Sequence, residues 1–221
     1  KTIRTMALIA MAVFDTEENN RTQYTRRTLE DMVNTDGIFD HRVIIVDNGS
    51  CKATKELLRV HDWAEVITLP ENIGTAKAIN KAWQLREDGQ HCIKMDNDVT
   101  INYNGWVAEL ELAIKLDPNI EKVEHVMGTC QMFNSALLDK MGYLYQPRLY
   151  GFDDALAAVR CHVAGFYSCF LPYIEIDHID TGETPYQTWK EKHSGEDMRA
   201  YNELKNAYLS GSKSIYSEAN Y

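Results

Sequence analysis

Two aspartates separated by a single residue, Asp96 and Asp98, follow a short apolar segment of the chain. In an extended chain, side chains at positions i and i+2 project to the same side, so both carboxylates can face one ligand. Two carboxylates held together repel each other unless a cation or a donor-rich ligand lies between them. The pair is therefore a candidate Mg²⁺ or Mn²⁺ site, with an ordinary Asp/Asn-rich turn as the alternative.

Two other polar segments follow apolar runs in the same way. Asp47-Asn-Gly-Ser50 ends one run, and Asn72-Ile-Gly74 precedes a helical pattern that contains Lys77. A helix N-terminus can bind an anion, although each segment alone could be a turn or a helix cap. Because ligands bind at the carboxyl ends of parallel strands, we expect these ends to converge on one crevice.

A second acidic pair and a histidine lie in the other half of the chain. Asp153 and Asp154 precede a helical pattern that ends at Arg160, where acids can simply stabilise the helix dipole. His178 lies between Asp177 and Asp180, and a histidine in this setting commonly pairs with a neighbouring carboxylate.

Alternating strands and helices must position these residues. Continuous apolar runs are typical of strands buried on both faces in a parallel sheet, and the segments between them have helical spacing. We predict strands at 6–14, 42–46, 64–69 and 91–95, and helices at 25–33, 53–60 and 75–85. This order of elements predicts an α/β domain with a mostly parallel central sheet covered by helices.

The second half of the chain is less regular. We predict helices at 106–116, 136–141 and 154–160, a short strand around 123–127, an extended segment at 166–176 and a mobile polar tail at 210–221. Lys94 is unusual because it places a charge inside an apolar strand. Its ammonium group could snorkel to the surface, pair with an acid or reach a phosphate.

Charge and cysteine content exclude some classes of function. The formal net charge is −10 and the chain has no long run of Lys and Arg, so unassisted binding to duplex nucleic acid or an anionic membrane is disfavoured. The five cysteines are scattered without a C-x-x-C pair, which argues against a disulfide framework and indicates a reducing cytoplasm. The longest apolar stretch, Met6–Phe14, is too short to span a bilayer.

In their order and spacing, these segments resemble the family 2 glycosyltransferases, whose GT-A fold is a single Rossmann-like domain. The resemblance extends over most of residues 3–179. It rests on the strand ending at Asp15, Val46-Asp-Asn-Gly-Ser50, Asn72-Ile-Gly74 with Lys77 and Asn80, Met95-Asp-Asn-Asp98, Gly128-Thr-Cys130, Gly151-Phe-Asp-Asp154, and His178.

The resemblance implies transfer of a sugar from a nucleoside diphosphate sugar, with a UDP-sugar favoured, to an acceptor hydroxyl on a glycan, a lipid-linked molecule, a protein or a modified base. Residues 1–100 would form the nucleotide-sugar-binding half, and residues 101–209 the acceptor-binding and catalytic half. Asp98 and His178 would hold Mn²⁺ or Mg²⁺. The residues that the resemblance assigns to donor binding are Asp15, Asp47, Asn72, Gly74, Lys77 and Asp96.

For catalysis, the resemblance assigns Asp154 as the base that removes the proton of the attacking hydroxyl, beside Asp153, which contacts the acceptor. The sugar would then be transferred with inversion at the anomeric carbon, as in a hexosyltransferase. Three alternatives stay open: a retaining GT-A transferase, a nucleotidyltransferase and a non-catalytic nucleotide-sugar-binding module. Against the second of these, residues 14–18 lack the Gly-rich loop with a basic residue that such an enzyme carries after its first strand.

Overall fold

A seven-stranded sheet forms the centre of the molecule. The computed structural model describes residues 6–117, 120–125 by their backbone only, 128–180, 186, 188–189 and 198–219. The strands are β1 (Leu8–Val13), β2 (Arg42–Asp47), β3 (Glu65–Thr68), β4 (Cys92–Met95), β5 (Val99–Ile101), β6 (Ile120–His125), β7 (Cys130–Phe133), β8 (Tyr167–Phe170) and β9 (Ile176–His178).

The strand order of the large sheet is β3-β2-β1-β4-β7-β6-β8. β1 is parallel to both β2 and β4, and β2 is parallel to β3. β7 is antiparallel to β4 and β6, while β8 is parallel to β6, so β7 is the strand that runs against the others. β5 and β9 form a separate antiparallel pair, which matters below because it carries His178.

Helices cover both faces of the large sheet. They are α1 (Thr22–Val33), α2 (Lys52–Val60), α3 (Thr75–Trp83), α4 (Trp106–Leu116), α5 (Ser135–Met141), α6 (Asp153–Val163) and α7 (Met198–Leu209), with a short 3₁₀ helix at Ile38–Asp40. The side chains of β1 alternate between two hydrophobic clusters: Ile9 and Met11 belong to one, and Leu8 and Ala10 to the other. Burial on both faces explains why β1 is a continuous apolar run in the sequence.

The sequence analysis predicted most elements of this domain, and α4 has the predicted bounds. The extended segment predicted at 166–176 is instead two strands, β8 and β9, separated by a turn. The strand predicted around 123–127 begins earlier, at Ile120, and its last two predicted residues lie outside the described part of the chain. Helix α7 was not predicted.

The segment after α7 contacts the body of the domain. Ser217 is buried and forms an isolated parallel bridge with Gly142, and the N–H of Ser217 donates to the carbonyl oxygen of Met141 at 2.9 Å. The sequence analysis expected a mobile tail at 210–221 because these residues are polar. Main-chain groups hydrogen-bond whatever their side chains are, so polarity alone does not predict detachment at Ser217, while the mobility of the tail stays a prediction.

Candidate functional site

A cleft of about 220 Å³ opens at the carboxyl ends of β1 and β4, where parallel strands present ligand sites. The described residues that line it include Arg21, Asn48, Thr75, Lys94, Asp96, Asp98, Gln146, Tyr150, Asp153, Asp154 and His178. Both acidic pairs found in the sequence therefore face the same space, together with the histidine.

The pairing of β5 with β9 brings His178 to the first acidic pair. Val99, which follows Asp98, is paired with His178, and the His178 Nε2 atom lies 3.0 Å from the Asp98 Oδ2 atom. One side-chain ligand atom from each of Asp96, Asp98 and His178 lies within 4.8 Å of the others. Ligand atoms about 2.1 Å from a shared cation lie up to roughly twice that distance apart, so this set fits a divalent ion after a small contraction.

Arg21 is a cleft residue that the sequence analysis missed. Its guanidinium group forms ion pairs with Asp98 and with Asp180, the latter at 2.6 Å, and lies 3.8 Å from the centre of the Tyr186 ring. Only 3% of Arg21 is exposed, so two buried acids depend on its charge. Its sole signal in the sequence is a basic residue shortly after the first strand.

These contacts shift the pKa values of Asp96 and Asp98 in opposite directions. Burial opposes ionisation of Asp98, but the hydrogen bond from His178 and the charge of Arg21 outweigh it and lower its pKa to about 2. The hydrogen bond to Asp98 raises the pKa of His178 to about 9. Burial raises the pKa of Asp96 to about 6, and the nearby charge of Asp98 adds to this rise although Lys94 opposes it. A cation would relieve the repulsion between the aspartates.

Lys94 joins the two acidic pairs. Its Nζ atom lies 3.3 Å from Asp96 Oδ1 and 3.1 Å from Asp153 Oδ2, and it donates to the Gly128 carbonyl oxygen at 3.1 Å. Burial disfavours its charge, yet the aspartates around it, Asp153 first, raise the pKa of Lys94. Of the roles left open by the sequence, Lys94 therefore takes the pairing with acids.

We expect Lys94→Met to lower the free energy of unfolding by about 3–5 kcal/mol, because it leaves the buried carboxylate of Asp153 without its partner. Urea unfolding measures this change. The double variant Lys94→Met, Asp153→Asn should recover part of the loss, since the unpaired charge is then gone. The control Lys52→Met removes an exposed lysine from a surface pair and should change stability far less. Equal losses of stability in Lys94→Met and Lys52→Met would contradict the ion pair between Lys94 and Asp153.

The second acidic pair begins helix α6. Asp153 is 8% exposed and paired with Lys94, whereas Asp154 is half-buried. Asp154 packs against Gly128, where an added Cβ atom would lie 2.8 Å from Asp154 Oδ2, so a side chain at 128 would collide with this carboxylate. The N–H of Ala155 donates to Asp154 Oδ1 at 2.7 Å.

Asp15 and Asp47 lie near the carboxyl ends of β1 and β2 and are fully buried. Asp15 Oδ2 accepts hydrogen bonds from the hydroxyls of Thr25 and Thr54, at 2.6 and 3.2 Å. Asp47 Oδ1 accepts from the N–H of Ser50 at 2.8 Å. Neither aspartate is among the described residues that line the cleft. Asp15 joins α1 to α2, and Asp47 holds the turn after β2, so their nucleoside contacts stay predictions.

Asn72, Gly74 and Lys77 lie around the turn into α3. Asn72 donates to the Tyr150 hydroxyl at 2.6 Å and accepts from the side chain of Asn48 at 2.8 Å. Gly74 has a φ of 90°, and an added Cβ would lie 3.2 Å from a backbone oxygen. Lys77 is half-buried on α3. None of these three is among the described residues that line the cleft, whereas the two partners of Asn72, Asn48 and Tyr150, are. The donor contacts of all three therefore stay predictions as well.

Within the described residues, no helix is both long enough and apolar enough to cross a membrane. The sequence of residues 19–169, about two thirds of the chain, matches the profile of glycosyl transferase family 2. A comparison with curated proteins gives no significant match.

Solved structures of glycosyltransferases share the fold. The mannosyltransferase PcManGT from Pyrobaculum calidifontis, in complex with GDP-Man and Mn²⁺, aligns with a TM-score of 0.71 at 18% identity, over 93% of this chain and 69% of that one. TarS 1-349 of S. aureus, in complex with UDP-GlcNAc, aligns with a TM-score of 0.65 at 16% identity, over 93% of this chain and 66% of that one. The predicted GT-A fold is confirmed.

Proposed function

Since this chain belongs to glycosyl transferase family 2 and is a glycosyltransferase, we propose that it moves a sugar from a nucleoside diphosphate sugar to an acceptor hydroxyl, with inversion and with a divalent cation. One observation carries this proposal: both acidic pairs and His178 face a single cleft. One acidic pair then has the donor set for a metal, and the other lies within reach of an incoming hydroxyl.

Asp98 and His178, with Asp96 beside them, would hold the cation. Carboxylate oxygens and an imidazole nitrogen suit Mn²⁺ well, and Mg²⁺ less because it prefers oxygen ligands. When bound, such an ion neutralises the charge that develops on the departing diphosphate. Arg21 pairs with Asp98 at the same place, so its guanidinium group would provide a second positive charge for the phosphates of the donor.

Asp154 is the better base of the second pair. The ammonium group of Lys94 holds Asp153, whereas Asp154 is partly exposed to the cleft. Asp154 would take the proton of the acceptor hydroxyl while that oxygen forms its bond to the anomeric carbon. The bond from that carbon to the diphosphate oxygen breaks in the same displacement, which inverts the anomeric centre.

The donor class is supported by what the structurally similar proteins bind. PcManGT carries GDP-Man and TarS carries UDP-GlcNAc, and both ligands are nucleoside diphosphate sugars. We retain a UDP-sugar as the favoured donor of this chain. The proposed acceptor is a hydroxyl compound, and loops of the second half of the chain, residues 101–209, would select it.

A donor panel tests this proposal. Wild-type protein is incubated with UDP-, GDP- and ADP-sugars and a mixture of hydroxyl acceptors, with Mn²⁺ or with EDTA. We expect release of a nucleoside diphosphate and a glycosylated product in Mn²⁺, and neither in EDTA. NMR of the anomeric proton gives the stereochemistry: a product that keeps the donor's configuration would contradict inversion, and release of pyrophosphate would indicate nucleotidyl transfer.

A further inference from the structure

Phe152 has a left-handed backbone, with a φ of 65°. Residues with a side chain rarely adopt this conformation, and it persists only where the surrounding structure holds it. Phe152 caps the N-terminus of α6 and directly precedes Asp153 and Asp154. Its conformation therefore sets the direction in which α6 begins, and with it the positions of both carboxylates.

Tyr201 of α7 packs against this residue. The ring centres of Phe152 and Tyr201 are 4.7 Å apart, and the ring planes differ by 18°, so the rings are stacked. Stacked aromatic rings stabilise a structure by more than the burial of their apolar surface alone. Phe152 also lines the cleft. Tyr201 on α7 therefore supports the residue that directly precedes the acidic pair.

The C-terminal end of α6 is fastened to the same part of the chain. Arg160 is fully buried and donates hydrogen bonds to the carbonyl oxygens of Ile215 at 2.7 Å, Tyr143 at 2.8 Å and Met141. The carbonyl oxygen of Ser217 accepts from the N–H of Tyr143 at 2.9 Å. Residues 215–217 are thereby bonded both to α6 and to the chain that follows α5.

Both attachments come from residues beyond 169, where the match to the family profile ends. We infer that α7 and residues 215–217 form a C-terminal clamp, which holds α6 at both ends and so positions Asp153 and Asp154 for catalysis. This inference rests on the proposed function, because it gives Tyr201 a positioning role toward the proposed base.

The change Tyr201→Ala tests the clamp. It removes the ring that holds Phe152, so the acidic pair can shift, while the proposed metal ligands, Asp96 and Asp98 in the loop after β4 and His178 on β9, stay in place. We expect kcat to fall about ten- to hundredfold, as small misplacements of reacting groups do. The KM for the donor and the Mn²⁺-dependent thermal shift with nucleoside diphosphate should stay within twofold of wild type.

Two controls and a double variant accompany it. Tyr201→Phe keeps the ring and should have the kcat of the wild type. Leu209→Ala changes an exposed position on the same helix and should also leave kcat unchanged. In a Phe152→Gly background the ring pair is already absent, so Tyr201→Ala should lower kcat no further. If Tyr201→Ala alone folds poorly, the single variant Phe152→Gly provides the test, since it removes the other ring of the stacked pair and should lower kcat in the same way.

The clamp is refuted if Tyr201→Ala keeps kcat within twofold, or if donor affinity falls in parallel with kcat, which would indicate general loss of structure. The clamp is also refuted if Tyr201→Ala lowers kcat as much in the Phe152→Gly background as it does in the wild type. A wild-type protein that transfers no sugar would refute the proposed function instead, so the two failures are distinguishable.

Discussion

Asp154→Asn is expected to lower kcat for sugar transfer by about 10²- to 10⁴-fold, the usual contribution of a positioned general base. The amide has nearly the same shape as the carboxylate but cannot accept the proton of the acceptor hydroxyl. Since Asp154 is not a member of the cluster of Asp96, Asp98 and His178, donor binding should persist. Initial rates at saturating donor measure kcat, and a Mn²⁺-dependent thermal shift measures donor binding.

The control for this prediction is Asp88→Asn, which makes the same chemical change at an exposed position. It should transfer sugar at the wild-type rate. Asp153→Asn serves as a comparison within the site, because it removes the partner of Lys94 and should lower stability as well as rate. If Asp154→Asn transfers sugar as fast as wild type, Asp154 is not the base.

Asp98→Ala is expected to abolish the stabilisation that a nucleoside diphosphate and Mn²⁺ give to the wild-type protein. A ligand at about 100 times its Kd stabilises the folded state by about 2.7 kcal/mol. For a chain of this size, that raises the unfolding temperature by about 5–10 °C. Adding EDTA to wild type should remove the same increase, because the phosphates are then without their bridging cation.

Asp98→Ala also removes one of the two acidic partners of Arg21, so the loss of metal binding must be separated from the loss of this ion pair. Asp180→Asn provides the matched control, since it weakens the 2.6 Å contact of Asp180 with Arg21 but leaves the set of Asp96, Asp98 and His178 intact. Differential scanning fluorimetry with and without ligand should show the full increase in this control. A full Mn²⁺-dependent increase in Asp98→Ala would exclude Asp98 as a metal ligand.

The first half of the fold could be predicted from the sequence because its signals are local. β1 and β2 are apolar runs whose side chains are buried on both faces, and each is followed by a polar turn. α4 has a helical pattern that begins after Gly105 and ends before Pro118. The contact of Ser217 with the body of the domain was not predicted because it uses backbone groups, which a side-chain pattern does not reveal.

The residues of the candidate site also differ in whether the sequence could predict them. Asp96 and Asp98, and likewise Asp153 and Asp154, were found because neighbours in the chain remain neighbours in space. Arg21 was missed because its partners Asp98 and Asp180 lie 77 and 159 residues further along the chain. No short-range pattern can report a contact at that separation.

The sequence by itself therefore determined the α/β architecture and the two acidic pairs, since periodicity and spacing are properties of adjacent residues. The tertiary structure decided which charges meet: Lys94 between the pairs, Arg21 on Asp98, and α7 against the start of α6. These contacts depend on strand order and on the pairing of β5 with β9, which packing of the whole chain sets.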